Sequence, residues 1–238
     1  PKGIEIMGLP ILTVYQMVKY VENATSTYKL NCTLLKLAEL FLQEGLEEGV
    51  RGDIAFCQSV LETAFFRYGN QVLPAQNNYA GIGATNDSGV GKGAWFDNPQ
   101  RGIRAQIQHL KAYASTEPLK NECLDPRFKY VKRGRAPYWE WLGKEENPSN
   151  IDRPENDRQG WAVPGPDYGH KIIAIYEKIK LLPESEPIPV EVPKEEPKIE
   201  IPVEAPKIEE PKVEIPIETP KVETPKPEVP KVEQKTNQ

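Results

Sequence analysis

One glutamate stands out when the sequence is projected onto helical geometry. From Asp53 to Tyr68 apolar residues recur at helical spacing. At about 100° per residue, Ile54, Cys57, Leu61, Ala64, Phe65 and Tyr68 share one face. Gln58 falls on the border of that face, and Glu62 lies one position further round. A carboxyl beside Phe65 and Phe66 at a core boundary loses hydration, and desolvation raises the pKa of an acid. A carboxyl that keeps its proton near neutral pH is a general acid, the group that protonates the leaving oxygen in glycoside cleavage. A solvated helical glutamate does none of this. Periodicity alone leaves both readings open.

Other chemistries have less behind them. Cys32, Cys57 and Cys123 are an odd, widely spaced set without a C-x-x-C pair. That pattern argues against a disulfide framework or a zinc site, and the three read as buried thiols. His109 and His170 are the only histidines, too few for a multi-histidine metal centre, and both read as structural. No metal and no cofactor is expected.

The elements that must position Glu62 are mostly helical. Thr13-Val-Tyr-Gln16 is a capping box and predicts a helix to about Asn23. Leu34, Leu35, Ala38, Phe41 and Leu42 predict a second helix over 32–44, with Gly45 available to stop it. Gly52-Asp53 opens the helix bearing Glu62, which is predicted to run to Tyr68 and close on Gly69. Pro99 precedes a helix over 102–114, Pro137-Tyr-Trp-Glu-Trp-Leu predicts a short one, and Tyr168 to Leu181 a last. Residues 77–96 are glycine-rich, contain Asn-Asn and Asn-Asp-Ser-Gly, and have little periodicity. They predict a loop, with room for a short hairpin, long enough to be functional.

Composition divides the chain. Residues 184–238 contain 12 of the 24 prolines, 14 Glu and 8 Lys, with no glycine, cysteine or aromatic. Pro-Lys-Ile-Glu occurs at 197 and 206, and Pro-Lys-Val-Glu at 211, 220 and 230. Recurrent proline excludes helix and inner strand, so this segment is expected to be a disordered, extended tether. Its net charge is −6 against −5 for the whole chain, leaving residues 1–183 at +1. A nearly neutral domain is not expected to bind nucleic acid. No apolar run approaches the roughly 20 residues that span a bilayer. The opening Pro-Lys-Gly-Ile-Glu-Ile-Met-Gly has no basic region followed by an apolar stretch, so no signal peptide is expected there. The reading is one domain, 1–183, and a tail, 184–238.

Local sequence carries the rest. Gln58-Ser-Val-Leu-Glu-Thr63, then Gln76-Asn-Asn-Tyr-Ala-Gly-Ile-Gly83, resembles the bacterial cell-wall glucosaminidases of the autolysin type. The likeness continues through Phe96-Asp-Asn-Pro-Gln-Arg-Gly-Ile-Arg and Asp125-Pro-Arg-Phe to Gly160-Trp-Ala-Val-Pro-Gly-Pro-Asp-Tyr-Gly-His170. It covers most of residues 10–180, with its motifs in the family's order. The resemblance implies an α+β, mainly α-helical, lysozyme-like domain with a small irregular or β lobe and a cleft between lobes. It implies Glu62 as the general acid cleaving the β-1,4 bond after N-acetylglucosamine in peptidoglycan or another N-acetylglucosamine-containing glycan. Gln58, Asn77, Asn78, Tyr79, Trp161 and Tyr168 are the substrate-binding candidates. The expected protein is monomeric, and either secreted or wall-associated in a bacterium or phage-encoded.

Two departures bear on mechanism. The stretch 79–96, where many family members have a second carboxylate, holds no glutamate. Asp87, in a turn sequence, and Asp97, before Asn98-Pro99, are the candidates for that role. Without one, the substrate's own acetamido group can act as nucleophile. A lytic transglycosylase or muramidase, and a non-catalytic wall-binding module, remain alternatives. The family's Tyr-Ala-Thr-Asp-Pro-x-Tyr segment reads Trp161-Ala-Val-Pro-Gly-Pro-Asp-Tyr168 here, so its first phenol is replaced by an indole.

Overall fold

Thr13 opens the first helix, α1 (Val14–Ala24), with a complete capping box. Its Oγ1 accepts from the Gln16 N–H, and the Gln16 side chain accepts from the Thr13 N–H. The computed structural model describes residues 3–84, 89–163 and 165–186. The proline-rich repeats from 187 onward and Asp87 lie outside the described residues.

Helix α2 (Leu34–Glu48), capped by Thr33, runs past the expected stop at Gly45 and ends on left-handed Gly49, φ 76°. Gly45 instead marks where α2 meets the start of α3 (Gly52–Glu62). A Cβ on Gly45 would lie 2.7 Å from the Gly52 Cα, and one on Gly52 would lie 2.1 Å from the Phe41 carbonyl oxygen. Only a missing side chain lets these backbones touch.

Helix α3 is the centre of the fold. Residues 54–60 are fully buried, with α1, α2, α4 (Pro99–Ala114) and α5 (Tyr168–Lys180) packed around them. A helix enclosed on all sides is a core element. Its N-terminus is pinned by Asp53, which accepts from the Ile11 and Leu12 amides and pairs with Arg51 at 2.7 Å.

The helix ends at Glu62, not at the predicted Tyr68. The Phe65 N–H reaches the Val60 carbonyl at 2.8 Å and the Ala64 N–H reaches Leu61, with Ala64 at φ 50°, the pattern of a Schellman stop. Phe65, Phe66 and Tyr68 are also left-handed, which costs a non-glycine residue roughly 1 to 2 kcal/mol. Burial offsets part of that cost. Phe66 is enclosed beside Phe56 and Tyr79, with ring centroids at 5.4 and 6.4 Å. Its N–H donates to Thr63 Oγ1 at 2.8 Å, and its carbonyl accepts from the Lys29 N–H. Packing overrides the helical period.

Asn98 caps α4 through Oδ1, with Pro99 in the first turn. The α2–α4 seam contains two buried carboxylates. Glu44 meets Arg104 at 2.7 Å, and Glu48 meets the equally buried Lys111 at 2.9 Å. Glu48 also accepts the Lys120 and Asn121 amides, and these partners hold it below the usual range against the opposing effect of burial.

The expected mainly helical α+β class holds. Its β part is reduced, among the described residues, to three isolated bridges, Glu5–Tyr138, Met7–Val50 and Gly143–Ala162. The described part of 77–96 forms no hairpin strands. It is held by side chains instead: the Asn78 amide bonds the Ile82 and Ala94 carbonyls, and its Oδ1 accepts the Ile82 N–H. Trp139–Trp141 forms one 3-10 turn where a short helix is expected. Cys57 is buried, but Cys123 is exposed on the loop after α4, contrary to the buried-thiol expectation. Beyond α5 the chain returns to the first cap, where Thr13 Oγ1 donates to the Glu184 carbonyl at 2.8 Å.

Candidate active site

Because α3 stops at Glu62, the carboxyl sits at the last turn of a buried helix. The Tyr168 hydroxyl, at the start of α5, donates a short hydrogen bond to Glu62 Oε1. Burial pushes Glu62 up to about 7, while the Tyr168 hydrogen bond and the nearby Trp161 side chain pull the other way. The Tyr168 phenol is itself held well above its ordinary range by burial and by Glu62, so it acts as a donor.

A chain of buried polar groups stands behind this pair. Gln58 Nε2 donates to the Tyr168 oxygen at 2.9 Å, Gln106 Nε2 donates to Gln58 Oε1 at 2.9 Å, and the Ser59 hydroxyl donates to Gln106 Oε1 at 3.0 Å. Gln58, Ser59 and Gln106 are fully buried. Each amide is oriented by the next, so the phenol has one direction in which to give its proton. Gln58 is therefore no substrate contact; it holds Tyr168. Ser59 and Gln106 were not singled out from the sequence. The available signal was a glutamine at i+3 of the apolar stripe Ile103, Ile107, Leu110.

Beside the carboxyl, which is not itself in the lining, lies a cleft of about 360 Å³ whose wall includes Gly81 and Trp161. Ala80 to Ala84 line one side, Arg127, Tyr130 and Val131 another, and Lys144 and Arg158 to Trp161 complete it. Gly81, at φ 66°, brings its backbone so near that a Cβ there would lie 3.9 Å from Glu62 Oε2. His109, also in the wall, bonds Asp125 at 2.7 Å and meets the Trp161 ring edge-on at 4.7 Å. It braces the indole.

The Asn-Asn-Tyr segment is placed differently from its expected surface role. Asn77 is buried, with its amide on the Phe96 carbonyl and its Oδ1 accepting from Asn31. Asn78 spends its polar atoms within the loop, and Tyr79 is 1% exposed among Phe41 and Phe66. These three residues shape the cleft wall from inside, and the cleft surface begins at Ala80. Asp97 is not brought to Glu62 either. It is exposed, pairs with Arg101 at 3.3 Å, and borders a separate hollow lined by Trp95, Phe96 and Leu124. Among the described residues no Asp or Glu lines the main cleft. One grouping, Glu146, Asp167 and His170, has potential metal-ligand atoms within 4.8 Å of one another, but two of the three are exposed and the set has a single imidazole.

A protonatable carboxyl held by a phenol and flanked by an indole beside an open cleft suits an acid catalyst acting on a bulky substrate. Residues 38–181 match the family described as glucosaminidase, mannosyl-glycoprotein endo-beta-N-acetylglucosaminidase. The chain belongs to the glucosaminidase family. The matched segment contains α3 to α5, Glu62, Trp161 and Tyr168, so the lysozyme-like glucosaminidase domain and the candidate site coincide. An uncharacterized protein of Borreliella burgdorferi is 48% identical over 101 residues. That match covers 42% of this chain and about half, 48%, of the relative. No described helix of the glucosaminidase is long and apolar enough to cross a membrane.

Proposed function

We propose that this glucosaminidase cleaves the β-1,4 bond after N-acetylglucosamine in peptidoglycan, with Glu62 as the general acid. The observation that carries the reading is the buried Glu62 carboxyl, hydrogen-bonded by Tyr168 and pushed up to about 7, directly behind the Gly81 and Trp161 wall of the cleft. At neutral pH a substantial fraction of it is protonated. Its proton passes to the glycosidic oxygen as the C1–O bond breaks. The substrate's acetamido oxygen bonds C1 from the opposite face, and water then opens that ring while Glu62, now a carboxylate, takes the proton back. Tyr168 and Trp161 stabilise the carboxylate as it forms.

Glu62→Gln keeps the shape and the acceptor for Tyr168 but has no proton to give. Release of reducing ends from purified sacculi is expected to fall 10² to 10⁴-fold, as for loss of a general acid. Wild-type rates in this variant overturn the assignment. Reducing ends, as opposed to anhydromuramic ends, separate hydrolysis from transglycosylation in the same digest.

The rest of the chain fits a protein acting on a wall from outside. The Pro-Lys-x-Glu segment serves as a spacer between the domain, residues 1–183, and an anchor. The domain acts as a monomer, so its activity on soluble fragments is independent of protein concentration and of truncation past Glu186.

A further inference from the structure

The cleft has a charged wall that proton donation does not require. Arg127, Lys144 and Arg158 line it, and among the described residues no acidic side chain does. Residues 127–135 read Arg-Phe-Lys-Tyr-Val-Lys-Arg-Gly-Arg, five cations without an acid. Part of this charge is committed elsewhere. Lys132, Arg135 and Arg153 converge on Asp157, and Arg133 lies over Phe128 and bonds the Ser115 and Glu117 carbonyls. Lys144 and Arg158 share one carboxylate, Glu155, which is 71% exposed. Arg127 has no carboxylate partner among the described residues. Its guanidinium lies 4.8 Å over the Tyr130 ring, with Lys129 at 5.1 Å from the same ring.

We propose that this wall, led by Arg127, binds carboxylates carried along the glycan strand and makes the cleft select an anionic over a neutral N-acetylated glycan. The inference deepens the glycosidase reading and rests on it for the glycan itself. A guanidinium seated on an aromatic ring keeps its N–H fork free for two parallel hydrogen bonds to a carboxylate. Cations gathered in a concave wall reinforce one another's field, whereas the same charges scattered on a convex surface are screened. Trp161 and Tyr130 also line the cleft and supply aromatic surface against which sugar rings can pack. A neutral glycan engages the rings alone, and an anionic strand engages the rings and the wall.

The carboxylate has two possible sources on a wall glycan, the lactyl ether of alternate sugars and the stem peptides. Glu62→Gln protein, which leaves the ligand intact, is titrated with three probes of equal length: a peptide-free strand with free lactyl groups, the peptide-bearing strand, and a chitooligosaccharide. At least one anionic probe is expected to bind about tenfold tighter than the neutral one at low salt, as charged hydrogen bonds are worth. Which probe shows the preference identifies the source. That preference is expected to collapse near 1 M salt, where the Debye length is about 3 Å. Adding Arg127→Gln is expected to remove most of it, and Arg127→Lys to restore part. Arg158→Gln has the smaller effect, because Glu155 already offsets that charge. Equal affinity for all three probes, or a preference that survives Arg127→Gln, overturns the inference. Cleavage is read separately with Glu62 intact. A protein that keeps the charge preference and cleaves no probe overturns the glycosidase reading, while one that cleaves all three with equal kcat/KM overturns the charged wall.

Discussion

Helices α1 to α5 hold their backbone groups in the regular helical ladder, whereas the lobe around the cleft holds many of its own with buried side-chain amides. Gln76 bonds the Lys92 and Ala94 carbonyls and the Leu73 amide. Gln108 takes the Glu122 carbonyl and the Leu124 amide, and Asn150 ties the Lys144 and Gln159 carbonyls together. Both regions meet the requirement that buried backbone groups be paired. They fail differently. Losing a helix residue removes packing spread along a face, whereas losing one amide frees several loop strands at once. The cleft wall is therefore rigid without a sheet, and its rigidity rests on a few named residues.

The largest expected effect lies in the helical region. Lys111→Met leaves the fully buried Glu48 without its cation, and an orphaned buried charge costs about 3 to 5 kcal/mol. Denaturant unfolding of the single variant is expected to show this, and the double variant with Glu48→Gln is expected to recover part of it. A loss under 1 kcal/mol would mean that the seam is not a fixed point of the fold.

Next comes Glu62, where the two regions meet. Its folded pKa, about 7, exceeds the 4.5 of an ordinary glutamate, so the folded state binds the extra proton between those values. The stability Glu62 contributes is complete below about pH 4.5 and is lost as pH rises through 7. Wild-type protein is therefore expected to lose roughly 3 kcal/mol relative to Glu62→Gln between pH 4 and pH 8. Parallel curves for the two proteins would show that burial of the carboxyl costs nothing.

The two regions also differ in what the sequence discloses. Thr13, Thr33 and Asn98 are caps that act locally, and the apolar stripes behind them fix helices whatever else the chain does. Glu62 was legible because its helix and the Gln-Ser-x-x-Glu motif agree. The end of α3 was not, because the left-handed turn at Ala64 to Phe66 is held not only by Phe56 of the same helix but by Tyr79 and Lys29, which the local pattern does not reveal. Asn77 and Asn78 carry the same ambiguity. An amide in a loop motif can face a ligand or a carbonyl of its own chain, and the spacing is identical in both cases. Arg127, Lys144 and Arg158 escaped notice because residues 1–183 sum to +1 and a net charge conceals its distribution.

Asn78→Ala tests the amide-built lobe directly. It removes bonds to the Ile82 and Ala94 carbonyls and from the Ile82 N–H, at an expected cost of about 2 kcal/mol. Hydrogen exchange should quicken at residues 80–84 while α2 and α4 stay protected. Uniform loss of protection would mean that the lobe and the helices unfold as one unit.

The smallest expected change in stability, and the one most specific to the site, is at Tyr168. Tyr168→Phe deletes the donor to Glu62 and orphans the buried Gln58 amide, at about 1 kcal/mol of stability. Its effect on catalysis has a definite sign. The Tyr168 hydrogen bond stabilises the Glu62 carboxylate and so holds its pKa down. Without it burial acts less opposed, the acid holds its proton to higher pH, and the alkaline limb of kcat/KM moves upward. The rate at the optimum still falls, because the carboxylate left after proton transfer has lost a partner and the proton is harder to release. A variant at Gln106 removes the support of Gln58 without touching the carboxyl, and it should shift the same limb in the same direction by less. An alkaline limb that moves down in Tyr168→Phe would show that the phenol supports the protonated acid, and the polar chain from Ser59 to Glu62 would then have to be read in the opposite sense.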